Sequence, residues 1–233
     1  AGFCKAINKL KQELTEGTFS KSIKIANSND FEALYIAGHL YQPLLYLNES
    51  SFKHKELGNL IEVQPVALNK GERDFVCDIQ RFFDNNHAFF ADKSLYLLRN
   101  KSRKGIGFFD DSGFYPDFIV WLVVGEHQYV SFIDPKGIRN LNGFSDSKIQ
   151  LYKLIREDIE PGLHDTSITL NSYIISNTEM KDVKHWVDFP ELDLISKQKK
   201  FNEHHVYFQG DQKDSYIQLI LENMISSPLL KRI

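Results

Sequence analysis

Apolar positions along the chain follow a helical rhythm in some stretches and an extended one in others. Phe3 to Glu16 has helical spacing and ends at Gly17, whereas Leu34 to Tyr41, followed by Pro43, fits strand or helix, and Asn48 to Asn59 is polar and reads as loop. From Gly71 the pattern sharpens: Glu72, Phe75, Val76, Ile79 and Phe83 fall on one face of an amphipathic helix. Ser94 to Arg99 and Gly105 to Phe109 read as short strands. Asp117 to Val124 and Tyr129 to Ile133 are apolar, β-branched runs joined by Gly125-Glu126-His127, the pattern of a core hairpin. A helix is expected over Ser147 to Ile159, closed by Pro161-Gly162. A strand follows over Ile168 to Ser176, a short helix over Glu179 to Val187, a strand over His205 to Gln209 and a terminal helix over Asp211 to Ile225. This order predicts an α/β fold, a mixed sheet flanked by helices.

Composition changes that picture little. The apolar and charged fractions of 42% and 25% are those of a folded domain, and no repeat or low-complexity tract interrupts the chain. No apolar run approaches the roughly 20 residues that span a bilayer, so no membrane association is expected. Cys4 and Cys77 form no spacing motif, which leaves a reducing, cytoplasmic setting as the expectation. The start Ala1-Gly2-Phe3-Cys4 suggests a processed product or an excised domain. A net charge of −3 does not exclude a nucleic-acid partner, because binding depends on local basic patches. Arg99-Asn100-Lys101-Ser102-Arg103-Lys104 is the densest such patch, and Arg99, Lys101, Arg103 and Lys104 are candidate backbone contacts; an ordinary solvated loop is the competing reading. No Gly-x-x-x-x-Gly-Lys-Ser/Thr loop is present, so the chain carries no ATPase of that type, and His204-His205 is not a zinc pair, because adjacent strand residues face opposite ways.

The chemistry concentrates at the hairpin. Pro116-Asp117 opens its first strand and Asp134-Pro135-Lys136 closes its second. Alternation puts Asp134 and Lys136 on one face, and the hairpin brings Asp117 beside Asp134. Adjacent carboxylates repel unless a cation neutralises them, and Mg²⁺ suits one or two carboxylates plus a substrate phosphate. A lysine beside them can orient an attacking water and offset charge in the transition state, so the set fits metal-assisted phosphodiester hydrolysis. Asp-x-Lys or Glu-x-Lys alone carries little weight: Asp146-Ser147-Lys148, Glu179-Met180-Lys181, Asp182-Val183-Lys184 and Asp211-Gln212-Lys213 match it too. Only Asp134-Pro135-Lys136 ends an apolar strand whose neighbour begins with Pro-Asp; the competing reading is a turn after a strand.

Gly113-Phe114-Tyr115-Pro116-Asp117-Phe118-Ile119-Val120 and Phe132-Ile133-Asp134-Pro135-Lys136-Gly137 resemble the PD-(D/E)XK nuclease superfamily, and within it the endonuclease domains of type III restriction subunits and related helicase-nuclease proteins. Gly71-Glu72-Arg73-Asp74-Phe75 resembles their Gly-Glu-x-x-Phe helix, and the similarity runs from about Glu62 to Leu154. The resemblance implies a restriction-endonuclease-like fold, with an N-terminal extension over 1–61 and the nuclease domain over 62–233. It also implies a site of Glu72, Asp117, Asp134 and Lys136, in which the three acids surround Mg²⁺ (or Mn²⁺ as its substitute), the Pro135 carbonyl is a further metal ligand, and Lys136 serves the water. For Glu72, an acid favoured by the helix dipole is the competing reading. Lys148 and Tyr152 share a helix face where related nucleases place polar residues beside the site; Lys148 is a candidate substrate contact, with a surface lysine as the alternative. The expected activity is Mg²⁺-dependent DNA endonuclease, working beside a helicase or translocase; cutting both strands of a duplex needs two such sites, as in a homodimer. The alternatives are a non-catalytic nucleic-acid-binding or assembly module on the same fold, or a nuclease of RNA or branched DNA.

Overall fold

The computed structural model describes residues 31–34, 44–47, 68–100, 114–183, 192–213 and 215–226. The chain divides into two compact units, one of residues 1–35 and 42–73, the other of residues 36–41 and 74–233. In the first unit, β1 (Phe31–Leu34) and β2 (Leu44–Leu47) form an antiparallel pair, Phe31 opposite Leu47. Of the Leu34 to Tyr41 stretch whose pattern fitted either element, Leu34 ends β1 and residues 35–41 lie outside the described residues.

The second unit is an α/β structure built on a five-stranded mixed sheet of order β3-β4-β5-β6-β7. β3 (Lys93–Arg99), β4 (Phe118–Val124) and β5 (His127–Lys136) run antiparallel to their neighbours, and β6 (Ile168–Ser176) and β7 (Val206–Phe208) continue in parallel from β5. The β4–β5 loop is Gly125-Glu126, with Gly125 at φ +59°, the left-handed geometry that a tight turn matched to strand twist demands of its first residue. His127, expected in the turn, is the first residue of β5 and faces Val124. The stretch 105–109, expected as a strand, lies outside the described residues.

Helices cover both faces. α1 (Lys70–Asn85) packs Phe75, Val76 and Ile79 inward, and the Phe75 ring meets Phe118 of β4 at 5.3 Å. The parallel β5–β6 pair requires a crossover, supplied by α2 (Ser147–Leu154, extended by a π turn over Ile155–Ile159 and by Glu160–Gly162). Pro161 cannot donate an i→i−4 bond, and its ring would press on the carbonyl at i−4. The chain accordingly widens ahead of it, and the Glu160 N–H reaches back to the Ile155 carbonyl. Leu151 and Ile155 of α2 pack on Phe114, Ile119, Phe132 and Leu170 on the other sheet face. β6 is buried from Thr169 onward, as a strand covered on both faces should be.

α3 (Leu194–Glu203) precedes β7 and lay unforeseen in the apolar pattern; α4 (Gln209–Gln212) and α5 (Ser215–Ser226) replace the single expected terminal helix. The chain turns between them, where Lys213 has φ +41°. Of the helix expected over Glu179 to Val187, the described part is one 3₁₀ turn, Met180–Asp182. Among the described residues no helix is long and apolar enough to cross a membrane.

Candidate active site

The site forms where β5 outruns β4. The last residues paired between them are Phe118 and Ile133. One step further the register sets Asp117 opposite Asp134, as the hairpin argument requires. β5 continues beside β6 alone, with Asp134, Pro135 and Lys136 facing Ile174, Ile175 and Ser176. Pro135 is tolerated inside the sheet because β4 has already ended, so its missing N–H breaks no β4–β5 bond. It is buried in β5.

Two devices hold the strand ends. Asn100, just after β3, donates its backbone N–H to the Asp117 carbonyl at 2.8 Å and its side-chain amide to the Pro116 carbonyl at 2.8 Å. At the other end, Asn177 N donates to the Lys136 carbonyl at 3.1 Å and Ile138 N to Thr178 Oγ1 at 3.2 Å. Gly137 sits inside this closure: a Cβ there would lie 3.3 Å from Asn177 Oδ1 and 3.4 Å from Thr178 Oγ1. A larger residue after the lysine would need the Asn177 side chain to give way by a few tenths of an ångström.

Asp134 is 5% exposed. Its Oδ2 is buried and ion-paired with Lys136 Nζ, so the charge of this buried carboxylate is matched two residues along the same strand. Lys136 is steadied from the other side, its Nζ lying 5.0 Å from the centroid of the Phe114 ring. That distance permits a cation–π attraction. Phe114 is itself locked in the apolar cluster under α2, so the lysine rests on a fixed surface. Lys148 Nζ approaches the same ring at 5.8 Å.

The remaining candidates divide. Glu72 is buried and joins Asn69 in a reciprocal cap: Glu72 N donates to Asn69 Oδ1 at 3.0 Å, Asn69 N to Glu72 Oε2 at 3.2 Å, and Asn69 Nδ2 to Glu72 Oε1 at 2.6 Å. Arg99 ends β3 opposite Phe118, half-buried; Lys101, Arg103 and Lys104 lie outside the described residues. Among the described residues no three His, Cys, Asp or Glu side chains gather as a metal-binding group. Asn100 and Phe114 were missed as site residues. Their roles follow from register and ring position, and nothing in their local spacing signals either.

The donor set fits a hard divalent cation in one respect: Asp134 is a buried carboxylate whose matching cation is Lys136, and Asp117 lies across the register from it, one step beyond the last β4–β5 pair. Mg²⁺ is commonly held by one or two carboxylates, its other positions going to water and substrate phosphate. No family model, curated protein or solved structure matches the chain.

Proposed function

We propose that this chain is a metal-dependent endonuclease of restriction-endonuclease-like fold that hydrolyses DNA phosphodiester bonds. The observation that carries the reading is the buried Asp134 oxygen, beside Lys136 and across from Asp117, at the point where β5 leaves β4. In this reading Asp117 and Asp134 hold Mg²⁺ or Mn²⁺, which supplies Lewis-acid polarisation of the phosphoryl oxygen and acidifies water. Lys136, resting on Phe114, donates to the attacking water oxygen and offsets negative charge on the non-bridging oxygens. The water oxygen bonds to phosphorus, one P–O ester bond breaks, and the water's protons go to solvent and to the departing alkoxide. The products are a phosphomonoester and an alcohol. A helicase or translocase that delivers DNA belongs to the same proposal and rests on the resemblance of residues 62–154, and a cytoplasmic setting belongs to it on the two cysteines that form no spacing motif.

The test is nicking of supercoiled plasmid with Mg²⁺, Mn²⁺ or chelator by the full chain, Asp134→Asn and Lys136→Ala. The expected result is metal-dependent nicking that falls roughly 100-fold or more in either variant, the scale of several kcal/mol of transition-state stabilisation. Undiminished nicking by Asp134→Asn sinks the assignment.

One observation favours a second reading, a non-catalytic nucleic-acid-binding or assembly module on the same fold: no three acids gather among the described residues. Calorimetric titration with Mn²⁺ separates the two. The nuclease reading expects binding that Asp134→Asn removes, and the module expects none.

A further inference from the structure

Asp117 stands just outside the sheet ladders that flank β4. The β3–β4 pairing ends at Arg99 and Phe118, and the β4–β5 pairing ends at Phe118 and Ile133. Pro116, the residue before Asp117, has no N–H with which to extend either ladder. Asn100 takes over where the ladders stop. Its backbone N–H donates to the Asp117 carbonyl at 2.8 Å, and its side-chain Nδ2 donates to the Pro116 carbonyl at 2.8 Å. The first bond carries the β3–β4 register one step further. The second comes from a side chain and reaches past the residue that the proline leaves without a ladder.

The two acceptors lie on either side of the Asp117 Cα. The Pro116 carbonyl belongs to the peptide plane that turns with Asp117 φ, and the Asp117 carbonyl belongs to the plane that turns with ψ. Planar peptides leave these two as a residue's only soft backbone dihedrals, and Asn100 holds both. The Asp117 carboxylate keeps only its χ angles, on a backbone fixed at the position opposite Asp134. Asparagine suits the task because it joins a main-chain N–H to a short side-chain amide donor; an ionised aspartate there would bring only acceptors to the Pro116 carbonyl.

We infer that Asn100 is a positioning residue for the divalent cation, fixing the backbone of Asp117 so that its carboxylate stays set for an ion shared with Asp134. This rests on the reading of Asp117 and Asp134 as the ligands of that ion. Asn100 itself touches neither metal nor substrate and acts through Asp117 alone. A ligand already held in place loses less freedom when it binds, and removing a group that holds a metal ligand from behind typically weakens metal binding about 10- to 100-fold. Asn100 grips the main chain of Asp117 and leaves its carboxylate oxygens to other partners, so the lower end of that range, about 10-fold, applies.

The experiment is calorimetric titration of the full chain with Mn²⁺ alone, with urea denaturation of the same proteins to establish that each is folded. The proteins are wild type, Asn100→Ala, Asn100→Leu and Asn86→Ala. Asn86 Nδ2 donates to the Phe82 carbonyl at 2.8 Å, in the turn that leads into the start of β3. Its removal therefore deletes the same kind of bond at the opposite end of β3 from Asn100. Asn100→Ala is expected to weaken Mn²⁺ binding about 10-fold, whereas Asn86→Ala should keep the wild-type affinity. Asn100→Leu retains the bulk of the side chain without a donor, should show the same loss, and replaces the alanine variant if that one does not fold. Wild-type Mn²⁺ affinity in a folded Asn100 variant overturns the inference and leaves the metal reading standing. An equal loss in Asn86→Ala also overturns it, because the effect would then belong to general loosening of the fold. A wild type that binds no Mn²⁺ removes the metal reading, and this inference with it.

Discussion

Acid should attack this fold first at His205. The ring is buried between Tyr152, at 4.0 Å, and Tyr173, at 4.9 Å, both stacked on it. Its Nδ1 lies 3.0 Å from the Ser172 carbonyl, which assigns the proton to that nitrogen. Burial is the main cause that brings its pKa down from 6.5 to about 4, with Arg156 and His204 adding repulsion and the bond to Ser172 opposing the shift. Well above pH 6.5 the ring is neutral in both the folded and the unfolded chain, so it contributes no pH dependence there. Between 6.5 and 4 the unfolded chain binds a proton that the folded chain refuses, so stability falls as the pH falls. The gap between those values corresponds to a total of about 3 kcal/mol, of which about 1.4 kcal/mol is already lost near pH 5.5 and about 2 kcal/mol near pH 5. The assay is urea denaturation of wild type and His205→Gln at intervals from about pH 7.5 to pH 5, above the range where carboxylates dominate. The variant should be less stable at neutral pH, having lost both stacks, but its curve should approach that of the wild type as the solution is acidified. Parallel curves across that window would mean that His205 titrates alike in both states, and the argument from burial would fail.

Two further perturbations test other parts of the structure. Glu72→Gln keeps the Glu72 N–H bond to Asn69 and one of the two bonds its side chain accepts, so stability should fall by only about 1 kcal/mol and the nicking rate should stay near wild type; a roughly 100-fold loss of nicking without a larger loss of stability would place Glu72 at the metal. Phe201→Ala removes a fully buried ring that meets Phe208 at 4.8 Å and Phe144 at 5.1 Å, and should cost about 3–5 kcal/mol by urea denaturation, a loss below 1 kcal/mol showing that α3 is not anchored there.

The elements legible in the sequence were those whose burial is continuous. Phe118 to Val124 and Ile168 to Ser176 read as strands because almost every residue is apolar or buried, and Phe75, Val76 and Ile79 mark α1 because all three face the core. α3 escaped notice for the converse reason. Its first two residues, Leu194 and Ile195, are 58% and 77% exposed, and Phe201 alone is fully buried, so no apolar stripe announces the helix. The described start of the helix expected over Glu179 to Val187 is a 3₁₀ turn, Met180–Asp182, held by a distant acid: Asp211 takes the Met180 N–H at 2.8 Å, a contact no local pattern encodes.

The candidate site divides in the same way. Asp117, Asp134 and Lys136 could be brought near one another from the sequence because a hairpin sets the start of one strand beside the end of the next; the pairing of residue 117 with residue 134 came only with the loop, which is Gly125-Glu126 and not the three residues expected. What the hairpin cannot specify is its surroundings. Phe114 precedes β4 and Lys148 opens α2, so their meeting depends on how the crossover helix lies on the sheet. The consequence concerns charge. At net −3 the whole chain repels a polyanion weakly, and attraction must come from cations held where no acid matches them.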